Sequence, residues 1–209
     1  MRLLAAADIH GYQHRLNLVL GQIDRHQPDL VVLCGDLTQY GPAETATSFL
    51  NQILVQTLAV PGNIDTPDVG DGITRSTAKN IDRRRVVIYD IPFIGIGGRP
   101  PTHLATTLIA TENGMRPLRD LVDADTVLVT HVPPYKAMDR MALGPHGGSK
   151  DLRRLIEECQ PRLVLSGHIH EDPGFTTLGR TMVVNCSLAK RFEGCLIELG
   201  GTVSAAMLD

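Results

Sequence analysis

Residues 3–38 read LLAAADIHGYQHRLNLVLGQIDRHQPDLVVLCGDLT, two short apolar runs flanking an amphipathic one, with each apolar run stopping at a polar cluster. Leu3 to Ala7 predicts a strand, His14 to Arg25 a helix with Leu16, Val19, Leu20 and Ile23 on one face, and Leu30 to Cys34 a second strand. The alternation continues outward. Ala43 to Val55, entered through Gly41-Pro42, predicts a helix, and Thr57 to Val60 a third strand stopped by Pro61-Gly62. A β-α-β-α-β opening implies parallel strands joined by helical crossovers.

Further along, the pattern is less regular. Residues 64–83 are polar and predict a long loop with one helical turn. Arg85 to Tyr89 and Phe93 to Gly97 lie too close together for a helical crossover, so they predict an antiparallel hairpin. The segment GGRPPTH predicts a loop, and a helix is expected from about Asn113 to Leu121. A strand follows over Thr126 to Thr130, then a loop from Pro133 to Gly148, with Ser149 placed to cap a helix reaching Cys159. Arg162 to Ser166 predicts another strand, and strands and turns are expected from Phe175 onward. The expected fold class is α/β: two β-sheets packed face to face with helices outside, in one domain over residues 1–209.

Composition sets the outer bounds. An apolar share of 43% supports a sizeable core, and with 4% aromatics and no Trp that core rests on Val, Leu, Ile and Ala. The net charge of -3 argues against a dedicated nucleic-acid binder, yet bound cations could still attract a small anionic substrate. Cys34, Cys159, Cys186 and Cys195 form no CxxC pair, and the opening segment meets Asp8 before any apolar stretch of signal-peptide length. No apolar run approaches the roughly 18 residues of a membrane span. A cytoplasmic protein with reduced thiols and no membrane segment is therefore expected, with homo-oligomerisation left open.

Polar residues able to bind metal recur where the apolar strands end: Asp8 and His10, Asp36, Asn63, His131, then His168 and His170. Strand carboxyl ends in α/β sheets open onto the crevice where ligands bind. Residues two apart in an extended segment face the same side, so Asp8 can share a target with His10, and His168 with His170. Mixed carboxylate, amide and imidazole donors without thiolate suit Mn, Fe, Co, Zn or Mg better than a structural zinc finger. Gly-Asp and Gly-Asn are also common turn dipeptides, which explains one such motif but not four histidines beside them.

DIHG, GDLT, PGN, TH and GHIH, in this order, resemble the calcineurin-like metallophosphoesterases, and GPHGGS followed by a helix and LVLSGHIHE resembles their small prokaryotic members. The resemblance implies an α/β/β/α sandwich holding two divalent ions (Mn, Fe, Co, Zn or Ni). One ion would be held by Asp8, His10, Asp36 and His170, the other by Asp36, Asn63, His131 and His168, with Asp36 bridging. It implies hydrolysis of a small phosphodiester or phosphomonoester by attack of metal-bound hydroxide, with Asp36, Asn63 and His131 as catalytic residues.

The sequence departs from the family at one position. The family carries His after the Asn of GN, and here Gly62-Asn63 is followed by Ile64-Asp65, so the usual proton donor is missing. That favours diesters over monoesters and leaves His146 as the first candidate acid, His103 the second and metal-bound water the third. Asp65 reads as the start of a turn, His14 and His26 as surface residues, and Arg83 to Arg85 as a solvated run. The alternative function is a catalytically weak binding scaffold on the same fold. A nuclease would need a basic track that is not visible.

Overall fold

The computed structural model describes residues 1–98, 101–189 and 191–209; Arg99 and Pro100, in the middle of the expected GGRPPTH loop, lie outside the described residues. The chain begins with β1 (Arg2–Ala6), α1 (Gln13–His26), β2 (Leu30–Cys34), α2 (Ala43–Leu50), β3 (Thr57–Val60), α3 (Val69–Arg75) and β4 (Lys79–Asn80). Then come β5 (Arg85–Ile88), β6 (Ile91–Ile96), β7 (Leu108–Thr111), β8 (Gly114–Pro117) and β9 (Val127–Thr130). The last third holds α4 (Lys150–Cys159), β10 (Leu163–Ser166), β11 (Gly174–Leu178), β12 (Thr181–Asn185), β13 (Cys195–Leu199) and β14 (Val203–Met207).

One six-stranded sheet has the order β14-β13-β1-β2-β3-β4 and the other β11-β12-β10-β9-β6-β5. β1 to β4 run parallel, with β13 antiparallel to β1. In the second sheet β6, β9, β10 and β12 run parallel, with antiparallel β5 and β11 at its edges. The parallel strands of each sheet thus deliver their carboxyl ends to one end of that sheet.

The sheets pack face to face. Alternate residues of the first sheet, such as Leu3, Ala5, Val32 and Leu58, share one core with Phe93, Val127, Val129 and Leu165 of the second. The intervening residues face outward onto helices: Leu4, Val31 and Leu33 pack with Leu16 and Val19 of α1 and Leu50 of α2. On the other side, Leu128 and Val164 pack with Leu152, Leu155 and Ile156 of α4. Strands covered on both faces need unbroken apolar sequence rather than alternation, which is why β2, β3, β9 and β10 are buried along their whole length. This is the α/β sandwich expected from the sequence.

Three local expectations are corrected. The stretch 64–83 contains a true helix, α3, whose Val69 and Ile73 pack into the outer core of the first sheet, and the short edge strand β4. The helix expected over Asn113 to Leu121 is instead β8 of a hairpin with β7, followed by a 3-10 turn at Leu118–Leu121. Asn113-Gly114 is a tight-turn dipeptide, Gly114 takes φ 107°, and Pro117 suits the end of an edge strand. The second helix stops at Leu50 rather than Val55. Ser149 caps α4 as expected, its side chain accepting from the Leu152 amide at 3.1 Å.

Candidate metal centre

Turns after β1, β2 and β10 carry their polar residues in an unusual backbone state. Asp8, His10, Asp36 and His168 have φ of 66°, 55°, 51° and 68°. Non-glycine residues in the left-handed region cost about 1–3 kcal/mol each and gather at functional sites. Neighbouring turns hold them there: the Asp8 amide donates to Gly35 O at 3.0 Å and the His10 amide to Asp36 O at 2.8 Å. Two glycines make the approach sterically feasible. A Cβ at Gly62 would collide with Asp36, and one at Gly167 would lie 2.8 Å from Asp8 Oδ2.

The side chains of all seven residues named from the sequence converge. His10 Nε2 and His170 Nε2 stand 3.2 Å apart, and Asp8 Oδ1 is 3.4 Å from His170 Nε2 and 3.9 Å from His10 Nε2. Asp36 Oδ2 lies 4.0 Å from His10 Nδ1 and 3.4 Å from His131 Nε2. Asn63 Oδ1 is 2.9 Å from His131 Nε2, and the His131 and His168 rings are 5.0 Å apart in an edge-on contact. Two groups of donor atoms lie mutually within 4.8 Å: Asp8, His10 and His170, and Asp8, Asp36 and His131. Asp8 therefore belongs to both groups, and Asp36 of the second also lies 4.0 Å from His10 of the first.

The arrangement fits divalent cations. Asp8 Oδ1 is buried with no hydrogen-bond partner, a costly state for a carboxylate oxygen unless a cation completes it. The 3.2 Å between the His10 and His170 nitrogens is the separation two ligands take when each is about 2.1 Å from one ion. His131 Nδ1, 2.8 Å from Cys34 O, directs Nε2 at the cluster.

Electrostatics agree. Burial works to raise the Asp8 pKa, but facing His170, His131 and the Ser187 hydroxyl together hold it below the usual carboxylate range. Burial pushes His10 down. At His131 burial is outweighed by Asp36 and Asp8, so its pKa is raised, and Asp8 raises His170 against its burial.

His146 does not join this cluster; its Nδ1 lies 2.6 Å from Oδ1 of Asp139, which is buried and also accepts the Lys136 and Gly148 amides. The loop bearing it starts just after His131, and its Gly147 is so close to Ile169 that a Cβ there would lie 2.9 Å from Ile169 Cδ1. His103 is exposed beside a short 3-10 turn and, among the described residues, makes no contact with the cluster.

Other residues that shape the site escaped sequence reading. Asp65 does more than begin a turn: its carboxylate accepts the Leu37, Thr38 and Gly62 amides and the Thr38 hydroxyl, binding the Asp36 turn to the Asn63 turn. Its position two residues after Asn63 was the available signal. Asn185 Nδ2 reaches the carbonyls of Met138, Ile169 and Asp172, and Ser187 Oγ donates to Asp8 Oδ2 at 2.5 Å. Nothing in the run Asn185-Cys186-Ser187 marks these roles. A separate cavity of about 530 Å³ lies at the sandwich edge, lined by Lys79, Arg84 and Arg85 among others and by none of the seven cluster residues.

The two-sheet α/β sandwich with this cluster at its strand ends agrees with the family to which the chain belongs, the calcineurin-like phosphoesterases, whose model matches residues 1–172. It is 34% identical over 202 residues to an uncharacterized protein of Methanocaldococcus jannaschii, covering 90% of this chain and 88% of the relative. It is 27% identical over 181 residues to a probable cyclic nucleotide phosphodiesterase of Synechococcus, covering 75% of this chain and 64% of that one. A crystal structure of a Thermus thermophilus protein has the same fold, with a TM-score of 0.70 at 18% identity and coverage of 99% and 98% of the two chains. Among the described residues no helix is long and apolar enough to cross a membrane.

Proposed function

We propose that residues 1–209 form one domain that hydrolyses small phosphate esters at a pair of divalent cations, with diesters preferred over monoesters. The observation that carries the reading is the buried, unpartnered Asp8 Oδ1 facing His10 and His170, with Asp36, Asn63 and His131 beside it. Asp8, His10, Asp36 and His170 would hold one ion and Asp36, Asn63, His131 and His168 the other. Once bound, paired ions supply Lewis-acid polarisation of the phosphoryl group and acidify a coordinated water.

The chain's own residues do the rest. Asp36 would supply the carboxylate shared by the two proposed ion sets, and the Cys34 carbonyl fixes the His131 ring with Nε2 facing the Asn63 amide oxygen. Ile64 has no proton to give, so the leaving oxygen takes its proton from another donor. We assign that role to His146. Asp139 engages Nδ1 and fixes the ring, so that Nε2 of the imidazolium form would be the atom that hands over a proton, leaving the neutral ring with its Nδ1–H on Asp139. A diester preference agrees with the missing acid at position 64 and with the name of the Synechococcus relative. The scaffold alternative is weakened by the completeness of the donor set, and the net charge of -3 speaks against a nucleic-acid substrate.

The test is turnover of bis-p-nitrophenyl phosphate, p-nitrophenyl phosphate and an alkyl diester by protein loaded with Mn2+, Co2+, Zn2+ or Mg2+, beside metal-free protein. Metal-dependent turnover with the aryl diester fastest supports the reading. Absence of turnover with every metal refutes it. Replacing His146→Gln should slow the alkyl diester by about 100-fold or more and the p-nitrophenyl substrates little, since their leaving group needs no proton. Equal slowing of both would remove His146 from the acid role.

A further inference from the structure

The two oxygens of Asp8 are treated differently. Oδ2 accepts the Ser187 hydroxyl at 2.5 Å and the His168 amide at 3.1 Å. Oδ1 accepts no hydrogen bond. Ser187 is itself fully buried, and its backbone leaves it little freedom: its amide donates to Asn185 Oδ1 at 3.1 Å, and it forms a parallel bridge with Ala7. That bridge is framed by the Ala7 amide on Cys186 O at 3.1 Å and the Leu188 amide on Ala7 O at 3.0 Å. A hydroxyl placed just beyond β12 of one sheet thus clasps a carboxylate placed just beyond β1 of the other.

A serine hydroxyl has one proton to donate. Committed to Oδ2, that proton and the His168 amide prevent the carboxylate from turning unless both bonds break. Oδ1 is then presented at a fixed place, facing the His170 and His10 rings with no hydrogen bond of its own. Burial excludes Ser187 as a nucleophile, because no substrate can reach an oxygen with no exposed surface. We propose that Ser187 is a positioning residue of the metal centre: it locks Asp8 so that Oδ1 alone is offered, as a single-oxygen ligand, to the divalent cation held with His10 and His170. This rests on the metal reading above. Ser187 lies beyond the stretch 1–172 that matches the family model, 179 residues along the chain from its partner.

Calorimetric titration of Mn2+ into the metal-free full chain tests the proposal, using wild type, Ser187→Ala and Ser187→Cys. The cysteine variant keeps the volume while weakening the donor, so it carries the test where the alanine variant fails to fold. Wild type should bind two ions. In the variants one of the two should bind about 10- to 100-fold more weakly, the range typical of partners one shell out from a metal, while the other stays within about threefold. General structural damage would weaken both sites together, and that outcome, like unchanged binding at both, overturns the proposal. Wild type that binds no Mn2+ would instead defeat the metal reading itself, and this inference with it.

Discussion

The first sheet brings two carboxylates, an amide and an imidazole to the centre, Asp8, Asp36, Asn63 and His10, whereas the second brings His131, His168 and His170 and no carboxylate. Negative charge sits on one side of the seam and proton acceptors on the other. Without metal, the contacts of Asp36 with His131 and of Asp8 with His170, both 3.4 Å, cross that seam. With cations bound, the same imidazoles must be neutral to ligate. Protons and metal ions would therefore be alternative fasteners for one joint, beside the Ser187–Asp8 clasp and the apolar core between the sheets.

The largest effect should come from removing the shared charge. Asp36→Asn keeps the shape but should lower turnover of bis-p-nitrophenyl phosphate by about 1,000-fold, in the range of losing one preorganised charge-stabilising group, and should reduce bound Mn2+ below two equivalents. A variant with full stoichiometry and full rate would show that the carboxylate side of the comparison carries nothing.

A smaller effect is expected within the first sheet's own turns. Asp65 joins the Asp36 and Asn63 turns through four donors, three backbone amides and the Thr38 hydroxyl. Asp65→Ala should lower unfolding free energy by about 2 kcal/mol, measured by urea titration of the metal-free protein, and should leave Asp8, His10 and His170 able to bind one ion. A change below experimental error would mean those turns are held by their backbone pairing alone.

The mildest test is pH. A raised imidazole pKa stabilises the metal-free fold fully below the unfolded value of about 6.5, and that contribution is lost as pH rises through the folded value. Melting of the metal-free protein should therefore come at lower temperature as pH rises above about 6.5, the contribution of His131 and His170 fading. Mn2+ affinity should rise over the same interval, by about tenfold per pH unit for each proton displaced. Parallel trends in both measurements would contradict the idea of competing fasteners.

Most of the cluster was legible because its donor residues follow apolar strands and repeat at the two-residue spacing of extended chain, as in Asp8/His10 and His168/His170. The sandwich was legible for a related reason: strands covered on both faces have no polar alternation. What stayed hidden depends on tertiary contact. Ser187 acts on a residue 179 positions away, and α3 is a two-turn helix whose apolar residues gain meaning only against the outer face of the first sheet. The β7–β8 hairpin takes the place of the helix expected from about Asn113 to Leu121, although Asn113-Gly114 signals the turn.

β1, which leads into Asp8, is flanked by β2 on one side and by β13 on the other, so half of its ladder comes from residues 195–199. During synthesis that edge has no partner until β13, far along the chain from β1, has left the ribosome. Such long-range closure is slow. A chain stalled before β13 would carry all seven cluster residues and still present an open strand edge where the folded structure has a sealed one.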